Sequence, residues 1–131
     1  MLYRDFFEIK TETGNFYDIT KQISDMVKKS KAEDGLCNIF VPATTAGLMI
    51  NENDRMLLED FRRLFKSLAP DNKLYQHPEN AQSHLRASML SQNLSIPIAN
   101  GKLLLGVWQS IILWEFDVRA RERKIIMTVI Y

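Results

Sequence analysis

The residues best suited to chemistry sit in a few short stretches. Asn51-Glu52-Asn53 follows the apolar run Leu48-Met49-Ile50 and precedes a long amphipathic segment, so a carboxylate and two amides stand where a strand gives way to a helix. A carboxylate there can ligate a hard cation or exchange a proton. The plainer reading is that Asn51, Asn53 or Asp54 caps the helix and Glu52 interacts with its N-terminus. The same helix N–H groups can hold a phosphate, but Glu52 opposes an anion unless a cation or proton intervenes, so it points to a metal or an amine. His84, with Ser83, Arg86 and Ser88 around it, is either a proton carrier or metal ligand, or a hydrogen-bonded structural imidazole. His77, beside Pro78 in a loop, is the weaker candidate of the two histidines. Trp108-Gln109 offers an indole face and a two-way hydrogen bonder to a heterocycle; the commoner use of such a Trp is in a core.

Other polar features have quieter readings. Ala43-Thr44-Thr45-Ala46 is a polar turn between two apolar strands. Cys37, flanked by Leu36 and Ile39, reads as a small buried hydrophobe. Arg119, Arg121, Arg123 and Lys124 can contact phosphates, but Asp117 and Glu122 dilute them and edge-strand solubility explains them as well. No GxGxxG, P-loop, HExxH or nucleophile-elbow motif occurs.

The elements that must position these groups belong to one domain, residues 1–131. A chain of 131 residues with 46% hydrophobic and 25% charged composition is globular and long enough to hold a core. A net charge of +1 gives no global attraction to nucleic acid or membrane. The single cysteine excludes an intrachain disulfide, and two histidines exclude a Cys/His cage within one chain. The N-terminal MLYRDFFEIK does not read as a signal peptide and no apolar run is long enough to span a bilayer, so a reducing cytoplasm is the expected location.

Periodicity predicts an α+β chain. Tyr3–Ile9 and Asn15–Tyr17 read as an opening hairpin around Thr13-Gly14. Asp18 caps a first helix with Ile19, Ile23, Met26 and Val27 on one face. Leu36–Val41 and Gly47–Ile50 are short strands. Leu57, Leu58, Phe61, Leu64, Phe65 and Leu68 form the stripe of a second helix that ends at Pro70, and Ala81–Leu90 forms a third. Leu94–Ile98 returns through an Asn100-Gly101 turn as Lys102–Trp108. Ile111–Phe116 and Ile125–Ile130 follow, joined by a charged connection. The last strand is apolar on both faces, with Ile126 and Ile130 on one and Ile125, Met127 and Val129 on the other. It needs cover on two sides, which predicts an oligomer.

The strings Ala43–Asn53 (ATTAGLMINEN), Asn80–Ser88 (NAQSHLRAS), Leu94–Ile98 (LSIPI) and Leu105–Gln109 (LGVWQ), in this order, resemble the YjbQ-like family, labelled uncharacterised or secondary thiamine-phosphate synthase. The resemblance implies a small β-sandwich of two mainly antiparallel sheets with two or three helices, trimerising through its sheets around a threefold axis. It implies a polar site in which Glu52 and His84 are catalytic and can together hold Mg²⁺ or Zn²⁺. Thr44, Thr45, Asn51, Arg86, Trp108 and Gln109 bind substrate there, with Lys102 a further donor. The implied reaction joins a pyrimidine diphosphate to a thiazole phosphate. This chain departs from the pattern: Ala43 stands where the family has a histidine, Val107 replaces a Thr and Ser110 a Gly, and no Gly separates Glu79 from Asn80. The alternative is therefore a non-catalytic or decayed trimer that binds a small phosphorylated or heterocyclic ligand or a metal. Neither reading involves nucleic acid or a membrane.

Overall fold

The computed structural model describes residues 1–131. It holds an α+β sandwich of two sheets and three helices. The five-stranded sheet has the order β1-β8-β3-β5-β6, built from β1 (Leu2–Thr11), β8 (Arg121–Ile130), β3 (Gly35–Phe40), β5 (Asn93–Ala99) and β6 (Lys102–Leu103). The three-stranded sheet has the order β2-β7-β4, from β2 (Phe16–Asp18), β7 (Ser110–Glu115) and β4 (Ala46–Asn51). Every strand pair is antiparallel.

Alternation along the strands puts one main core between the sheets. Cys37, Ile39, Ile96, Ile98, Ile125, Met127 and Val129 face Leu48, Ile111 and Leu113 across it. Helix α1 (Thr20–Ser30) adds Ile23, Met26 and Val27 to this core, joined by Ile19 just before it, the four residues expected from the spacing. Helices α2 (Arg55–Leu68) and α3 (Ala81–Ser88) cover the other face of the small sheet. There Leu58, Phe65 and Ala87 pack on Met49, Ile112, Trp114 and Phe116. A Cβ on Gly47 would come 2.8 Å from the Leu90 Cβ, so this glycine permits β4 to approach the end of α3. No helix is long and apolar enough to cross a membrane.

The structure departs from the sequence reading in five places. The opening hairpin does not form: β1 pairs with β8 and β2 with β7, so the turn after β1 passes the chain between sheets. The charged segment after β7 is not all connection: β8 begins at Arg121 rather than Ile125, so the crossover between the two sheets is shorter than expected. Asn100 and Gly101 do form a tight turn, with φ of 52° and 72°, but the returning strand lasts only Lys102–Leu103 before it becomes a loop. Asp18 lies one residue outside the helix cap, at Ile19, and accepts the Thr20 N–H at 2.9 Å. The stripe on α2 is only partly covered. Leu58 and Phe65 are buried while Leu64 and Leu68 are exposed.

Candidate functional site

Arg121 and Arg123 stand two apart at the start of β8, on the same face as Ile125, Met127 and Val129. That face looks into the sandwich. Two guanidiniums therefore occupy the open end of an otherwise apolar core, and two buried carboxylates make this tolerable. Glu115, the last residue of β7, is fully buried, and its Oε1 and Oε2 accept from Arg123 Nε at 2.7 Å and Nη2 at 2.6 Å. The Thr11 hydroxyl donates to Glu115 Oε1 at 2.6 Å and the Asp117 N–H to Oε2 at 3.0 Å. Asp117, also buried, binds the Arg121 guanidinium through Oδ2. Its Oδ1 accepts from the Val118 N–H at 2.8 Å and from Asn80 Nδ2 at 3.4 Å. Burial pushes the Asp117 carboxyl up, but the hydrogen bonds from Val118, Arg121 and Asn80 and the charge of Arg121 outweigh it. The group lies below the ordinary carboxylate range.

In front of this double ion pair lies a cleft of about 570 Å³. Thr44, Thr45, Asn80, His84, Gln92, Arg121 and Arg123 line it, together with Phe40 and Ala43. Arg123 also donates to the Thr45 hydroxyl at 2.7 Å, which ties the Thr-Thr turn to the same network. The arginines are held from behind by Nε and Nη2, so the fork is oriented before any ligand arrives. Chemically the arrangement can offer guanidinium, hydroxyl and amide donors to a ligand, with an imidazole at the cleft wall.

The residues singled out in the sequence are spread over several places. Thr44, Thr45 and His84 line the cleft. Asn51 lies at the other end of β4, opposite Ser110, while Ala46 at the near end pairs with Glu115. The five residue-to-residue steps of β4, at about 3.3 Å each, put some 17 Å between these ends. Glu52 follows Asn51 there, its N–H donating to the Asn51 side chain at 2.8 Å. Asp54, one of the capping alternatives, is the residue that caps α2, accepting from the Met56 N–H at 3.2 Å. Asn53 donates to Asp18 at 2.9 Å.

Gln109 uses its Oε1 to accept the Gly106 N–H at 2.7 Å and so closes its own loop, on which Trp108 is 71% exposed. Arg86 is buried away from the cleft. Its Nε and Nη2 hold the Ala69 carbonyl at 3.0 and 2.6 Å, and Nη2 reaches Asp71 at 2.9 Å, a clamp on the end of α2. Lys102 lies on β6 at the sheet edge. No three His, Cys, Asp or Glu side chains converge as a metal site. Cys37 is fully buried, and burial pushes its thiol up to about 12, so it is an inert hydrophobe as its flanking residues suggested.

The sequence reading gave phosphate contact as one use of Arg121 and Arg123 but took edge-strand solubility as sufficient, and it assigned no site role to Glu115, Asn80 or Gln92. The spacing of Arg121 and Arg123 at i, i+2 is the signal that finds the arginines, once the segment is read as strand rather than turn.

The YjbQ-like UPF0047 protein family matches residues 5–131 of this chain. The chain belongs to the YjbQ-like UPF0047 family. A UPF0047 protein of Archaeoglobus fulgidus is 41% identical over 113 residues, covering 84% of this chain and 86% of the relative. The YjbQ protein of Salmonella typhimurium is 33% identical, with 98% of each covered. Among solved structures, a YbjQ-like protein of unknown function from Sulfolobus solfataricus superposes with a TM-score of 0.89 at 33% identity over 98% of both chains. A YjbQ/UPF0047 protein of Clostridium acetobutylicum gives 0.86 at 37% identity, covering 95% of this chain and 99% of its own. The YjbQ-like fold here is thus shared along the whole chain.

Proposed function

We propose that this YjbQ-like protein binds a small phosphorylated ligand in the cleft in front of Arg121 and Arg123. The observation that carries this is the pair of guanidiniums aligned on one strand face and held from behind by buried Asp117 and Glu115. Arginine forks oriented in this way match phosphate oxygens in geometry as well as charge. Thr44 and His84 stand at the same cleft as further donors. The transferase reading, joining a pyrimidine diphosphate to a thiazole phosphate, draws support from the same feature, since a departing pyrophosphate needs fixed positive charge. His84 is the residue of this cleft able to carry a proton.

A second reading has its own observation. Ala43 lines the cleft that also holds His84, so the imidazole which the family pattern places before the Thr-Thr pair is missing from the site itself. That favours binding without turnover.

The homotrimer belongs to the same proposal. On the outward face of the large sheet, Leu2, Ile130 and Leu36 fall in one cross-strand row and Phe6, Ile126 and Phe40 in another. Five of these six side chains are exposed. Phe40 also lines the cleft, so a second copy seated on this face borders the ligand site. A cytoplasmic location fits the unpaired Cys37.

The test is calorimetry with pyrophosphate and inorganic phosphate, followed by turnover of the two thiamine precursors with and without Mg²⁺. Arg121→Ala is expected to weaken pyrophosphate binding at least tenfold, and affinity to fall with added salt. Pyrophosphate affinity unaffected by Arg121→Ala would sink the phosphate reading. Turnover that appears only in Ala43→His selects the decayed enzyme.

A further inference from the structure

We propose that His77 and His84 together hold a divalent transition-metal ion, zinc by chemical preference, at the wall between the basic cleft and the pocket beside it. Nothing in the site described above uses His77. Its ring nonetheless stands 5.3 Å from that of His84, centre to centre, and at 83° to it. Two imidazoles bound through one nitrogen each to a tetrahedral zinc, at about 2.0–2.1 Å, have ring centres about 5 Å apart. The observed spacing matches.

The hydrogen bonding around His77 is also that of a ligand. Asn80 Nδ2 donates to the Asp117 carboxylate, which fixes the amide so that its Oδ1 faces His77 Nε2 at 2.9 Å. An amide oxygen only accepts, so His77 carries its hydrogen on Nε2 and keeps the lone pair on Nδ1. A metal-binding histidine characteristically donates its other N–H to an acceptor that is itself held, and here the relay runs Arg121, Asp117, Asn80, His77.

His84 sits in both spaces, lining the basic cleft and also the pocket with His77, Tyr75 and Ala81. With only two protein ligands, coordination positions stay open for water or for a phosphoryl oxygen in the cleft. Borderline N-ligands favour zinc over magnesium. His84 is therefore paired with His77 rather than with Glu52, which lies beyond the far end of β4.

Metal binding does not depend on the phosphate reading and is tested without any phosphate. The full chain is stripped with a chelator and titrated with Co²⁺, followed by its visible absorption, and then with Zn²⁺ in competition. One ion per chain is expected. His77→Ala and His84→Ala should each weaken binding at least tenfold, and Asn80→Leu roughly tenfold through loss of the held N–H acceptor. Thermal unfolding of each variant separates loss of the ligand from loss of the fold. No binding by the wild type at about 100 μM metal, near the weak end expected of an open site, overturns the proposal. So does binding that survives both histidine variants, or that is lost in Glu52→Ala while His77→Ala is silent. Pyrophosphate calorimetry in the presence of chelator then reports on the arginine cleft alone, so the two readings fail separately.

Discussion

β7 and β8 are both apolar on both faces, yet the chain covers them differently. In β7, Ile111 and Leu113 point into the core between the sheets while Ile112 and Trp114 point to α2 and α3, and all four are at most 1% exposed. In β8, Ile125, Met127 and Val129 are equally buried, but Ile130 on the opposite face is 56% exposed and Ile126 is only half-buried. The difference is one of layers. A three-stranded sheet with helices on one side and a second sheet on the other hides its central strand completely, whereas the outer face of the five-stranded sheet has no layer beyond it. Apolar patterning on two faces thus means an interior strand in one place and, by our proposal, a contact between copies in the other.

The largest effect should come from the strand that is covered twice. Trp114 packs at 5.3, 5.1 and 5.9 Å, ring to ring, on Phe16, Phe65 and Phe116. Trp114→Ala should cost about 4 kcal/mol in urea unfolding, because a cavity opens where nothing can collapse into it. A loss under about 1 kcal/mol would mean that the strand is not enclosed as described. Next is the end of the same strand: Glu115→Ala strands Arg123 without its carboxylate and should cost about 3 kcal/mol.

The acid response follows from Asp117. Its folded carboxyl lies below the unfolded value, so its contribution is complete above pH ~4 and is lost as pH falls through the depressed folded value. Asp117→Asn should therefore flatten the acid limb of the stability curve, read by fluorescence below pH 4. On β8, Ile130→Ser should change the unfolding free energy of dilute monomer by less than about 1 kcal/mol. In light scattering it should also lower the particle mass from that of the proposed trimer, three times 15.2 kDa. An unchanged mass would remove the proposed contact. The smallest effect is at Cys37, which should react with iodoacetamide only when the protein unfolds.

Much of this fold was legible in the residues. Ile19, Ile23, Met26 and Val27 marked the buried face of α1, the stripe ending at Pro70 marked α2, and Asn100-Gly101 marked its turn. Each is a local pattern set by helix or strand period or by the φ a turn demands. The opening hairpin failed for an equally physical reason. Tyr3–Ile9 and Asn15–Tyr17 have the pattern of strands, but adjacency in sequence does not choose partners. Phe7 pairs instead with Ile125 and Tyr17 with Leu113, in two separate sheets. The candidate site was legible in pieces: Thr44, Thr45 and His84 share a cleft, which Asn51, Glu52, Arg86, Trp108 and Gln109 do not line.

The sequence by itself determined most of the elements, the buried face of α1 and the family, because those depend on short-range periodicity and on strings of residues. Only the tertiary structure decided which strand joined which sheet, and so which polar groups met. Arg121 and Arg123 became an oriented pair because a crossover after β7 brought Glu115 and Asp117 behind them. His77 came to face His84 because the loop before α3 folds back beside that helix. Contacts of this kind join residues that no local pattern relates; they are fixed by how the layers close over one another.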